Sequence, residues 1–405
     1  MSLEKVLKKI EELQDDMVKF TVEMIKIKAV NPAFDGEGEE KRAEFLEKKL
    51  KEICDEVKRY DAVDDKGLRR PNLVGIIYGE NRDRTLWIIG HMDTVPEGEL
   101  SLWEHDPYDP MVKEGKIYGR GTLDDGQAIV TSYFAAKAIL ESNMRPKMNI
   151  GLVYVSDEEA GSKYGLYYLM DKNIFKKNDL VVIPDAGNED GSFIEIAEKS
   201  AMWIKITTIG KQTHASMPET GINAHRAGMK YALWVDEFLH RKYDKKNELF
   251  SPPESTFEMT KKEANVGNIN TIPGKDIFYF DFRVLPEYDL DEILQDMRKI
   301  ADIVESEFGV KIEIEIVSKS KAAPPTPIES EVVQKLIRAL KELRNIEPKA
   351  GGIGGGTVAE AFREIGIPAV VWMTADDVEH QPNEFCRIKN LVEDAKVFAY
   401  LAMVH

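Results

Sequence analysis

The chain reads as an α/β protein, with a mostly parallel sheet, helices on both of its faces, and an inserted α+β module. Three observations carry that reading. Short apolar runs alternate with helical segments over residues 1–195, as strand–helix–strand units do. From about Glu195 the runs lengthen, and residues 311–316 alternate Ile with Glu in the two-residue period of a half-buried strand. Past residues 322–327 (AAPPTP), an exit linker, the first pattern resumes. The expected organisation is one large domain in two segments, 1–195 and 321–405, carrying a smaller domain over 196–320.

The elements follow in order. Residues 3–28 and 38–57 place apolar side chains at helical spacing among charges and predict amphipathic helices. Residues 72–78 and 85–90 (TLWIIG) are apolar runs and predict strands. A loop rich in Asp, Pro and Gly runs to Leu123. A helix over 126–142, a strand over 148–156, a helix over 164–172 and a strand over 179–183 come next. In the insertion, strands are expected over 201–209, 275–284 and 310–317, and helices over 224–240 and 289–307. The last segment predicts a helix over 330–343, a Gly-rich turn, a helix over 358–365, a strand over 368–373 and a final helix. No strand is expected before GGIGGG (351–356), which sets aside a dinucleotide loop.

Composition bounds the function. The chain has 405 residues, 43% of them hydrophobic, enough for a large core. Its net charge of -17 disfavours nucleic acid and anionic membrane as partners. Cys54 and Cys386 are the only cysteines, which indicates a reducing compartment. The N-terminal stretch lacks the apolar centre of a signal peptide, and no run reaches the roughly 18 apolar residues that cross a bilayer. A cytoplasmic protein is expected.

Five acidic or imidazole motifs fall at presumed strand ends or turns. They are His91-Met92-Asp93, Gly119–Gly126 (GRGTLDDG), Ser156–Glu159 (SDEE), Pro184–Gly187 (PDAG) and Glu379–Glu384 (EHQPNE). On an extended chain His91 and Asp93 point the same way, so the carboxylate can orient the imidazole. Carboxylates and imidazoles are ligands that suit zinc and similar ions. A two-ion site needs a shared carboxylate and a further carboxylate that takes a proton from water. Glu158 and Glu159 offer one base and one ligand.

The motifs around His91, Asp124, Glu158 and His380, with WEHDPYDP, GKQTHASMPETGINA, NINTIPG and DFRVLPE, occur in an order that resembles the co-catalytic di-zinc amidohydrolases and peptidases. That family includes aminoacylase, acetylornithine deacetylase, succinyl-diaminopimelate desuccinylase and glutamate carboxypeptidase. The resemblance runs from about Val18 to the C-terminus. It implies that His91, Asp124 and Asp185 hold one metal ion and that Asp124, Glu159 and His380 hold a second, with Asp124 bridging. It implies Glu158 as general base, Asp93 as support for His91, and a cis peptide between Asp124 and Asp125. The insertion becomes a lid and dimerisation domain. In a homodimer, His214 would stabilise the oxyanion in the partner's site. Asn270 and Arg283 match substrate-binding positions, Arg283 suiting a carboxylate. Gly355, Gly356 and Thr357 are expected beside substrate, where small residues allow close approach.

The expected activity is hydrolysis of an amide bond in a small carboxylate-bearing substrate, as an N-acyl amino acid deacylase. The cofactor would be two divalent ions, with zinc, cobalt and manganese all suited. Two departures bring the dipeptidase and carboxypeptidase branch closer. Gly126-Gln127 stands where a Lys-Gly pair is frequent, and Val358 follows Thr357 where many deacylases have Asp. Readings from other classes are a non-catalytic metal-binding or interaction module and a cysteine amidase using Cys386. His105, His225, His240 and His405 are expected at the surface.

Overall fold

The computed structural model describes Ser2–Val404. It divides into two compact units, one of residues 1–196, 325–350 and 357–405, the other of residues 197–324 and 351–356. The Gly-rich turn 351–356 goes with the second unit.

The first unit is built on an eight-stranded sheet. Its order is Glu56–Val63, Arg69–Ile77, Met148–Val155, Asn81–His91, Leu180–Asn188, Ala369–Thr374, Phe193–Glu198 and Lys349–Ile353. The four strands from Met148–Val155 to Ala369–Thr374 run parallel, and the strands flanking them pair antiparallel. Met148–Val155 is buried along its whole length, as a central strand covered on both faces must be. Helix Gly126–Glu141 is buried on nearly every side and packs with Ile388–Met403 and the two N-terminal helices. Residues 3–28, expected as one helix, form two, Ser2–Glu12 and Gln14–Ile25, because Leu13 leaves helical geometry (ψ 3°) between them.

Three strands of this sheet went unseen in the sequence. Glu56–Val63 (EVKRYDAV) is an edge strand with a single buried residue, so no apolar pattern marks it, and pairing with Arg69–Ile77 specifies it instead. Phe193–Glu198 also escaped. Lys349–Ile353 does run into the Gly-rich turn, which corrects the expectation of none there. Gly352 lies in it because an added Cβ would stand 2.3 Å from the Phe250 ring.

The second unit is a four-stranded antiparallel sheet, ordered Thr256–Lys262, Lys275–Val284, Ser200–Ile209, Lys311–Ser320. Helices Ala224–Lys242 and Leu290–Phe308 pack together and on this sheet. Its core interleaves Ile204, Ile206, Phe280 and Phe282 with Tyr231, Val235, Met297 and Val304. Asn223 and Asp289 cap the two helices, each accepting backbone N–H groups of the first turn.

His105, expected at the surface, instead lies half-buried, edge-on to Trp103 and Tyr118. His240 is exposed, His225 pairs with Asp276, and His405 lies outside the described residues.

Candidate metal centre

Parallel strands set their carboxyl ends on one side of a sheet, and the chemistry of this chain gathers there. His91 is the last residue of Asn81–His91, and Glu158 and Glu159 open a one-turn helix just past Met148–Val155. His380 follows Ala369–Thr374 with φ 60°, a left-handed conformation uncommon for a histidine. Asp185 lies within Leu180–Asn188, which continues past the expected end at Ile183. The pairing with Ala369–Thr374 skips there, from Ile183 opposite Val371 to Gly187 opposite Met373. Such an irregularity re-aims side chains. Asp185 joins the cluster, while Asp190 turns away to accept the Ser192 N–H.

Asp124 sits between the two imidazoles. Its Oδ1 is 2.8 Å from His91 Nε2 and its Oδ2 is 3.0 Å from His380 Nε2. His380 Nε2 is also 3.1 Å from Glu159 Oε2, and His91 Nε2 is 3.5 Å from Asp185 Oδ1. Glu158 stands back, with Oε2 3.9 Å from His91 Nε2. The Asp124–Asp125 peptide is cis, as expected. The structure therefore brings together His91, Asp124, Glu158, Glu159, Asp185 and His380.

The supports differ from the sequence reading in one respect. His91 Nδ1 is 2.9 Å from the Asp93 backbone carbonyl and 3.6 Å from the Asp93 carboxylate. That carboxylate, fully buried, accepts the Glu158 and Glu159 N–H groups, each at 3.1 Å, and the Asn31 amide at 2.7 Å. Asp93 thus holds the turn that carries Glu158 and Glu159. Behind it, buried Arg70 pairs with Glu39 and Asp157. Asp125 accepts the His91 N–H through Oδ2, and Gly90 makes room, because a Cβ there would lie 2.8 Å from that oxygen. Asn31, Glu39 and Arg70 were not singled out by the motifs, and Asp125 was named only for its peptide bond with Asp124.

The electrostatics follow from crowding. Burial pushes the Glu158 carboxyl well above the usual carboxylate range, and neighbouring Asp185 adds like-charge repulsion. Burial and then Asp124 raise Glu159. Burial also raises Asp125. Burial opposes charge on His91, but Asp124, Asp185 and Asp93 outweigh it and raise the imidazole. His380, half-exposed and hydrogen-bonded to Asp124 and Glu159, is pushed up to about 10. Burial alone would raise Asp124; the two imidazoles instead hold it low.

This donor set fits divalent cations. His91, Asp125 and Asp185 offer ligand atoms within 4.8 Å of one another, and so do His91, Asp124 and Glu159. Asp125 Oδ1 is buried with no hydrogen-bond partner among the described residues. Positive charge is what so many facing carboxylates require, and nitrogen and oxygen donors suit zinc-like ions.

The remaining expected residues lie elsewhere. In the second unit His214 and Asn270 are exposed neighbours, His214 Nε2 lying 3.4 Å from Asn270 Nδ2. The Ser216 N–H donates to His214 Nδ1 at 3.2 Å, and the Ser216 hydroxyl lies 2.7 Å from the same nitrogen. Arg283 turns its fork to Asp281 (Nε–Oδ1 2.6 Å, Nη2–Oδ2 3.0 Å) and donates to the Gly354 carbonyl. Gly355 and Gly356 belong to the same turn. Thr357 opens the return to the first unit, its Oγ1 accepting the Ala359 N–H. Val358 lines the metal centre beside Glu158 and Asp185.

Residues 87–404 match the model of peptidase family M20/M25/M40. An uncharacterised metallohydrolase of Methanocaldococcus jannaschii is 42% identical over 96% of this chain and 98% of its own. A succinyl-diaminopimelate desuccinylase of Nitratiruptor is 27% identical over 74% of this chain and 78% of its own. Among solved structures, human carnosine dipeptidase 1 superposes with a TM-score of 0.77 at 19% identity, covering 100% of this chain and 98% of its own. A metallo-carboxypeptidase of Sulfolobus solfataricus gives 0.73 at 20% identity, covering 96% and 98%.

Proposed function

The chain belongs to peptidase family M20/M25/M40 and is a hydrolytic enzyme, and from that premise we propose that it cleaves an amide bond in a small, carboxylate-bearing substrate, as an N-acyl amino acid deacylase. One observation carries the chemistry: the two oxygens of Asp124 face two different imidazoles, at 2.8 and 3.0 Å, as a carboxylate shared by two ions must. In this reading His91, Asp124 and Asp185 hold one ion, and Asp124, Glu159 and His380 hold the other. Zinc suits these donors, and so do cobalt and manganese. When bound, the ions lower the pKa of a water and polarise the scissile carbonyl.

The rest falls to side chains. Glu158, with no imidazole in hydrogen-bond range, takes a proton from the attacking water and returns it to the leaving amine. Asp93 keeps Glu158 aimed by holding its backbone N–H. His214 acts from the partner subunit of a homodimer, where its imidazole stabilises the developing oxyanion. Asn270 and Arg283 bind substrate, and Gly355, Gly356 and Thr357 let its backbone approach. Met229 and Leu233, one turn apart on helix Ala224–Lys242, are both exposed, and this small apolar patch supports a dimer through the second unit. Among the described residues no helix is long and apolar enough to cross a membrane, and the two cysteines are free, which fits a cytoplasmic enzyme.

A dipeptidase or carboxypeptidase is the second reading. Val358 supports it, since it sets an apolar wall at the centre. Initial rates on N-acetyl and N-succinyl amino acids and on dipeptides separate the two. Release from acyl amino acids supports the deacylase, turnover of dipeptides alone supports the peptidase, and no turnover on either class contradicts both.

A further inference from the structure

Glu384 closes the segment that begins at His380, and nothing in the mechanism above uses it. It is wholly buried. Its Oε1 accepts the N–H groups of Gly121 (3.1 Å), Leu123 (3.0 Å) and Asp124 (3.2 Å). Its Oε2 accepts Arg120 Nη1 at 2.6 Å and shares the Gly121 N–H. Its carbonyl accepts the Gly119 N–H at 2.9 Å. The turn that delivers Asp124 therefore wraps around this one carboxylate. Converging backbone N–H groups form an anion-binding hollow, and here the anion is part of the protein.

The attachment continues on both sides. Asn383 accepts the Glu104 N–H and donates to the Leu102 carbonyl. Phe385–Arg387 pairs antiparallel with Lys116–Tyr118. Glu384 thus ties two ligand-bearing segments, one with Asp124 and one with His380, which are far apart in sequence.

We infer that Glu384 is a positioning residue for the bridging ligand: its carboxylate, cradled by the 121–124 turn, sets Asp124 at the spacing from His380 that the second ion requires. This rests on the reading that Asp124 bridges two ions. Groups that orient ligands from behind are worth roughly 10- to 100-fold in metal affinity.

Zinc content and affinity of the full-length chain test this with two double variants. Glu384→Gln with Arg120→Met keeps an acceptor oxygen for the turn and removes the charge pair. Glu384→Ala with Arg120→Met removes the acceptor too. The first is expected to hold about two ions per chain, like the parent. The second is expected to hold one ion at parental affinity and the other roughly 10- to 100-fold more weakly. A merely structural role would lower the metal-free melting temperature and leave zinc affinity unchanged in both. Parental affinity for both ions in the Ala variant overturns the inference, and so does equal damage in the Gln variant. Should the Ala variant fail to fold, Glu384→Asp, which withdraws the carboxylate by one methylene, is read by the same rule. A parent chain that binds no zinc overturns the two-ion reading itself.

Discussion

At the turn that follows Met148–Val155, Glu158 and Glu159 are adjacent in sequence and unlike in surroundings. Glu159 meets the Val95 N–H and His380, whereas Glu158 meets neither backbone donor nor imidazole at hydrogen-bond distance. That difference supports the proposal that Glu158 is the proton shuttle. Glu158→Gln is expected to retain the parental metal content and to lose roughly 10²- to 10⁴-fold in kcat. Metal analysis and initial rates check it, and near-parental turnover would reject the assignment. The cysteines bear on the rival chemistry. Burial pushes the Cys54 thiol up to about 12 and raises Cys386, which is fully buried, as well. Thiol-blocking reagents on the native protein are therefore expected to leave hydrolysis unchanged. The six clustered residues were legible because each sits in a short local motif expected at a strand end or a turn. Glu384 lies in such a motif too, but its role was not legible, since its contact with Arg120 spans 264 residues. Asp93 was found for a contact that its backbone carbonyl makes instead.

Elements were legible where burial imposes a period. Lys275–Val284 alternates buried and less buried residues along its length, and its expected bounds match those observed. Glu56–Val63 was missed because hydrogen bonding to a neighbour, not burial, makes it a strand. Helix Leu290–Phe308 holds an element-scale prediction. Burial pushes its Asp296 carboxyl up, but Lys242, Lys299 and Tyr243 hold it down to about 2. An unfolded Asp titrates near 3.9. A depressed folded value gives stability that is present above the unfolded value and lost as pH falls through the folded one. Asp296→Asn is expected to cost roughly 1–2 kcal/mol at neutral pH, modest because both lysines reach solvent. The gap between native and variant should close between about pH 4 and pH 2. Unfolding curves across that range check the sign, and a gap that persists to about pH 2 would show that the carboxylate's charge is not the source.

The molecule as a whole is two folded units. In the sequence, the change of pattern near Glu195 and the AAPPTP exit mark the ends of an insertion, whereas glycines carry no burial pattern that would place residues 351–356 in either unit. Strand Lys311–Ser320 is an edge of its sheet with Ile316 and Val317 exposed, and the exposed Met229 and Leu233 of helix Ala224–Lys242 belong to the same unit. Met229→Glu with Leu233→Glu is expected to shift the proposed dimer to monomer in sedimentation and to lower turnover while metal content holds. A monomeric variant with full turnover would remove His214 from the partner's reaction. The central claim is that this is a two-ion hydrolase. It is tested most directly by metal content per chain, measured with hydrolysis of acyl amino acids and dipeptides before and after chelation. About two divalent ions, with hydrolysis lost on chelation and restored by metal, is the result this account predicts. No bound ion even after reconstitution, or hydrolysis indifferent to chelation, would contradict it.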